Sequence, residues 1–180
     1  MKHLRIKNMV MVAVFAAVSF ALQMIAPFPK VGGFLEIEFS DLPALIIAFA
    51  YGPISGVLVE LLKNLLHCFV TSTGFVGELA NFVVNGIFVA VAGLIYMNHK
   101  TFKCAILSLV SATVAMAVAG IFVNLYIMLP MFKIPQELRL GLTMGTIFPF
   151  NLVKGAGISL ITMLIYKRIS PIIKFSGGRK

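Results

Sequence analysis

Apolar runs long enough to cross a bilayer recur along this chain, and nothing else in the sequence restricts the fold as strongly. A helix rises ~1.5 Å per residue and needs ~20 mostly apolar residues to traverse the hydrocarbon. Such runs occupy residues 8–26, 75–97, 105–129 and 146–169, with shorter ones at 41–51 and 54–70. Apolar residues make up 60% of the 180 and charged ones 12%, with mean hydropathy +1.03. A water-soluble domain of this size cannot hide that much apolar surface, whereas lipid covers it. The reading is an all-α integral membrane protein of six transmembrane helices in the lipid bilayer, a single domain over residues 1–180. No internal repeat or linker divides it.

The N-terminal MKHLRIK has the look of a signal-peptide start. The run behind it is longer than a signal core and ends without a small-x-small cleavage site, so it is taken as the first helix. The net charge of +9 does not point to nucleic acid. The basic residues sit at the ends of apolar runs, where lipid headgroups lie, and are not interleaved with aromatics. Their distribution sets an orientation. Lys2, Arg5, Lys7, Lys100, Lys103, Lys167, Arg168, Lys174, Arg179 and Lys180 fall on one side, with Lys30, Lys133 and Arg139 on the other. By the positive-inside bias both termini are cytoplasmic in a plasma-membrane protein. Cys68 and Cys104 are the two cysteines and form no disulfide framework.

Prolines and glycines punctuate the helices. Pro27 and Pro29 stop the first. Residues 34–39 (FLEIEF) then alternate apolar and acidic side chains, which predicts an extended outer loop with one face on the helices. Ser40 or Asp41 is placed to cap the second helix, which eleven residues make too short to span alone. Gly52-Pro53 separates it from the third. Residues 130–145 are expected to form the longest loop after the first helix.

Polar residues inside the runs carry the functional signal, because ionisable groups in a bilayer face the bundle interior or a cavity. Glu60, Lys63, Asn64 and His67 follow i, i+3, i+4, i+7 spacing and share one face of helix 3. Glu78, Asn81 and Asn85 do the same on helix 4. Asn124 lies near the end of helix 5, and Asn151 and Lys154 lie one turn apart on helix 6. Glu60 and Lys63 can pair within their own helix and serve as interhelical glue. Alternatively, with His67 and Glu78, they form the relay of a proton- or ion-coupled transporter. Lys154 has no acidic neighbour on its helix and needs a partner from elsewhere, for which ligand oxygens are candidates. His67 has no second histidine at metal-ligand spacing. On helix 1, Ala13, Ala17 and Ala21 recur every fourth residue, a row that allows close helix approach, either within the bundle or to a partner protein. No phosphate loop, zinc-protease motif or nucleophile elbow is present, and the chain is read as a non-enzyme without a cofactor.

The stretch FLEIEFSDLPALIIAFAYGP (34–53), with VELLKNLLH (59–67), GELANF (77–82) and FPFNLVK (148–154), resembles the riboflavin-specific substrate-binding subunits of energy-coupling factor transporters. The resemblance covers essentially the whole chain. It implies a binder of riboflavin as transported ligand, working with a transmembrane coupling subunit and two ATPase subunits that supply the hydrolysis this chain lacks. It further implies Asn151 and Lys154 as ligand residues and Asn124 as a third. Leu35 and Phe39 would close the pocket, Gly77 and Asn81 would line it, and the Ala13/Ala17/Ala21 row would dock the coupling subunit. A subunit for another vitamin is the nearest alternative.

Overall fold

The computed structural model describes residues 2–25, 35, 38–71 and 74–177. Six helices account for nearly all of them: α1 (Lys2–Met24), α2 (Asp41–Tyr51), α3 (Pro53–His67), α4 (Gly74–Asn98), α5 (Phe102–Met131) and α6 (residues 136–177). Among the described residues, α1, α4, α5 and α6 each contain a stretch long and apolar enough to cross a membrane. The chain is a multi-pass membrane protein. Half of the alternating segment (34, 36 and 37), and the prolines after helix 1, lie outside the described residues.

The short α2 sits in the middle of the bundle, packed on α1, α3, α4 and α6. Eight of its eleven residues are buried, Ala44, Ala48 and Ala50 among them. An eleven-residue helix leaves polar backbone ends at membrane depth, which is tolerable only where protein surrounds them. Small side chains let that surrounding come close. The reversal into α3 needs Gly52, whose φ of 105° is open to glycine at little cost. Helices α3 to α6 follow one another, each packed on the next, and α1 closes against α2 and α3.

The expected loop over 130–145 is mostly helical. α5 continues through a π-helical turn, Asn124–Met128, to Met131, and α6 begins at Gln136 and passes through a second one, Thr143–Ile147. Both have the same cause. Each π turn closes one residue before a proline, with Leu129 N–H donating to Asn124 O and Phe148 N–H donating to Thr143 O. Pro130 and Pro149 cannot donate to the carbonyl four residues back, and their rings crowd it. Widening by one residue relieves the crowding without ending the helix.

The capping expectation also changes. Ser40 precedes α2 in a helical conformation and makes no side-chain cap; its hydroxyl instead accepts a hydrogen bond from Lys63.

Candidate functional site: a polar cleft at one end of the bundle

The ends of α1, α3 and α5, the start of α4 and residues 150–154 of α6 meet at the end of the bundle away from the N-terminus. They border an open cleft. Leu35, Gly77, Asn81, Asn124, Asn151 and Lys154 all line it. Six of the seven residues implied for the ligand are therefore brought together from the first loop and three helices. Phe39 is half-buried just before α2 and is not among the lining residues. The apolar part of the wall comes from Leu35, Ala80, Val84, Met128 and Phe150.

Both π turns lie beside this cleft and contact each other. Asn124 opens the first, and its side-chain N–H donates to Gly120 O at 2.8 Å, leaving the buried Oδ1 with no partner within the protein. Asn151 sits one turn beyond the second π turn and donates to Ile147 O at 3.0 Å. Both carboxamides thus spend donor capacity on their own helices, and Asn124 keeps an acceptor for whatever enters. Gly120 leaves room for the Asn151 carboxamide, with which a Cβ there would collide.

Lys154 finds its partner inside the protein. Its Nζ lies 3.0 Å from Asp41 Oδ2 and 3.3 Å from Glu38 Oε1, with all three side chains buried. Ligand oxygens are not needed to satisfy its charge. Asp41 also takes Lys63, at 2.7 Å, and Lys63 reaches Glu60 at the same distance one turn away in α3. The intrahelical Glu60–Lys63 pair is as expected. Asn81 donates to Glu38 at 3.2 Å and receives Asn85 at 2.9 Å. One continuous network therefore links the first loop, α2, α3, α4 and α6 at the side of the cleft. Sequence spacing missed Glu38 and Asp41 as members; the signal available was Lys154 within an apolar run, 146–169, that contains no acid. At the rim, His67 Nδ1 lies 2.9 Å from Glu78 Oε1. No group of three metal-ligating side chains occurs among the described residues.

On α1, Ala13, Ala17 and Ala21 are all exposed, while Val12, Ala16, Ser19 and Gln23 form the buried face. The alanine row does not pack inside the bundle.

A helical bundle with membrane-length apolar spans and a cleft of mixed polarity at one end suits a small-molecule binding component of a transport system. The chain belongs to the family described as "ECF transporter, substrate-specific component", whose pattern matches residues 7–166. It is a transport component and not an enzyme. It is similar to the riboflavin transporter RibU of Staphylococcus aureus (strain TCH60), 32% identical over 176 residues and 93% of each chain. It is also similar to the riboflavin transporter FmnP of Bacillus subtilis (strain 168), 29% identical over 183 residues, 95% of this chain and 96% of that one. A solved structure, reported under "Structure and mechanism of the S component of a bacterial ECF transporter", superposes with a TM-score of 0.80 at 32% identity, covering 94% of this chain and 99% of the other.

Proposed function

We propose that this protein is the riboflavin-binding component of an uptake transporter, taking the vitamin into the cleft from outside the cell. The observation that carries the reading is the meeting of Asn124, Asn151 and Lys154 on one cleft, from two helices that the sequence separates by a turn. Riboflavin is neutral, with an apolar tricyclic ring, carbonyl acceptors, an imide N–H and a chain of hydroxyls. The apolar wall suits the ring, and asparagine and lysine supply acceptors and donors for the rest. Neutrality fits as well, because Lys154 already faces two carboxylates and offers no unbalanced positive charge to an anion.

Transport requires partners. A transmembrane coupling subunit and two ATPase subunits complete the proposed assembly, with the exposed Ala13/Ala17/Ala21 row as the docking face. The cleft opens outward and both termini lie in the cytoplasm, in keeping with the excess of basic residues at the other end of the bundle. Titration of the purified protein with riboflavin, followed by quenching of flavin fluorescence, tests the reading. Saturable one-to-one binding that weakens in Asn151→Ala is expected; absence of binding by the folded wild type would overturn it.

A further inference from the structure

The cleft has a polar wall that Asn124, Asn151 and Lys154 do not occupy. Gln23, near the end of α1, lines the cleft, is only 4% exposed, and its Oε1 has no hydrogen-bond partner within the protein. A carbonyl oxygen withdrawn from water and left without a donor is costly, and at the wall of a binding cleft an incoming ligand can supply the donor. Ser19, one turn earlier, is buried and unpartnered too, but it lies outside the cleft.

Gln23 is not the only acceptor waiting there. Glu78 Oε2 and Asn124 Oδ1 are also buried, unpartnered and on cleft-lining residues. Three acceptors need three donors, and a flavin ring carries a single imide N–H. The remaining donors must come from hydroxyls. The position of Gln23 says which part of the ligand reaches it. α5 and α6 carry Met128 and Phe150 beside Asn124 and Asn151, an apolar setting for a ring. α1 packs instead on α2 and α3, with Phe20 of α1 6.4 Å from the His67 ring, so Gln23 joins the cleft from the α3 side, to which His67 adds a further polar side chain.

We propose that Gln23 is a ligand-contacting residue, accepting a hydrogen bond from the hydroxylated chain of a heterocyclic ligand whose ring lies toward α5 and α6. This rests on the flavin reading above and extends it to α1. That helix also carries the exposed alanine row on its opposite face, so the ligand is bonded directly to the helix proposed to meet the coupling subunit.

The test compares riboflavin with lumiflavin, which keeps the ring but has a methyl group in place of the hydroxylated chain. Gln23→Leu preserves bulk while removing the amide; Gln23→Met repeats the test should the leucine variant fail to accumulate. Riboflavin affinity should fall about five- to 150-fold, the range for loss of one buried hydrogen bond. Lumiflavin affinity should stay within about twofold of wild type, and Ser19→Ala should change neither. Unchanged riboflavin affinity in the Gln23 variants overturns the inference. So does an equal loss for both flavins, which marks a structural role. Wild-type protein that binds neither flavin overturns the functional reading and this inference together.

Discussion

Replacing Lys154 with methionine tests the buried network where α6 joins it. The side chain keeps all but the last atom of its length and loses its charge, so packing changes little. Asp41 retains Lys63 at 2.7 Å and stays compensated. Glu38 does not. Its Oε1 keeps only the Asn81 amide at 3.2 Å, and its Oε2 has no partner at all. Breaking a buried pair from one side costs about 3–5 kcal/mol when a bare charge remains. Because just one of the two carboxylates is stranded, we expect the lower end, about 3 kcal/mol. For a chain of this length that is a fall of roughly 6–12 °C in the melting midpoint. A thermal unfolding scan in detergent measures it. The diagnostic variant is Lys154→Met with Glu38→Gln, which removes the stranded charge. It should recover most of the midpoint while riboflavin binding stays weak, since the ammonium is still missing. If Lys154→Met unfolds at the wild-type midpoint, or the second change gives no recovery, the pairing drawn here between Lys154 and Glu38 is wrong.

Gly120→Ala should displace the Asn151 carboxamide and weaken riboflavin binding by about tenfold; in an Asn151→Ala background it should add nothing, and full additivity in that double-mutant cycle would refute the contact. Ala17→Trp should leave riboflavin affinity of the isolated protein unchanged while abolishing co-purification with the coupling subunit and ATP-dependent uptake, because a small-residue helix contact has no room for an indole; normal uptake would exclude docking at that position. Tyr96 and Tyr166 share a buried hydroxyl–hydroxyl hydrogen bond of 2.9 Å at the other end of the bundle. Either Tyr→Phe change alone should cost about 1–3 kcal/mol in thermal stability, whereas both together should cost less than the sum of the two.

Much of this architecture is local and could be read directly from the chain. Lipid demands a run of apolar residues for each span, so α1, α4, α5 and α6 are visible as hydropathy alone. Helical periodicity puts Glu60 beside Lys63, and Asn151 one turn from Lys154, without knowledge of any neighbour. The end of α5 and the start of α6 are less legible, because a proline reads equally as a stop or as a widened turn. Packing chose the widened turn, and a supposed loop over 130–145 became mostly helix.

Composition and periodicity suffice for the class of protein, the number of helices and the polar residue types on their inner faces. Which of those side chains meet depends on packing. Glu38 and Lys154 stand 116 positions apart, and their contact depends on the relative height and rotation of helices, which no local pattern encodes. The same holds for Gln23, whose membership of the cleft follows from where α1 leans and not from its spacing. Ala13, Ala17 and Ala21 illustrate the limit most plainly. In lipid, the face a helix turns to a neighbour and the face it turns outward are equally apolar, so hydropathy cannot tell them apart. Tertiary packing buried Ala16 and left the other three on the surface.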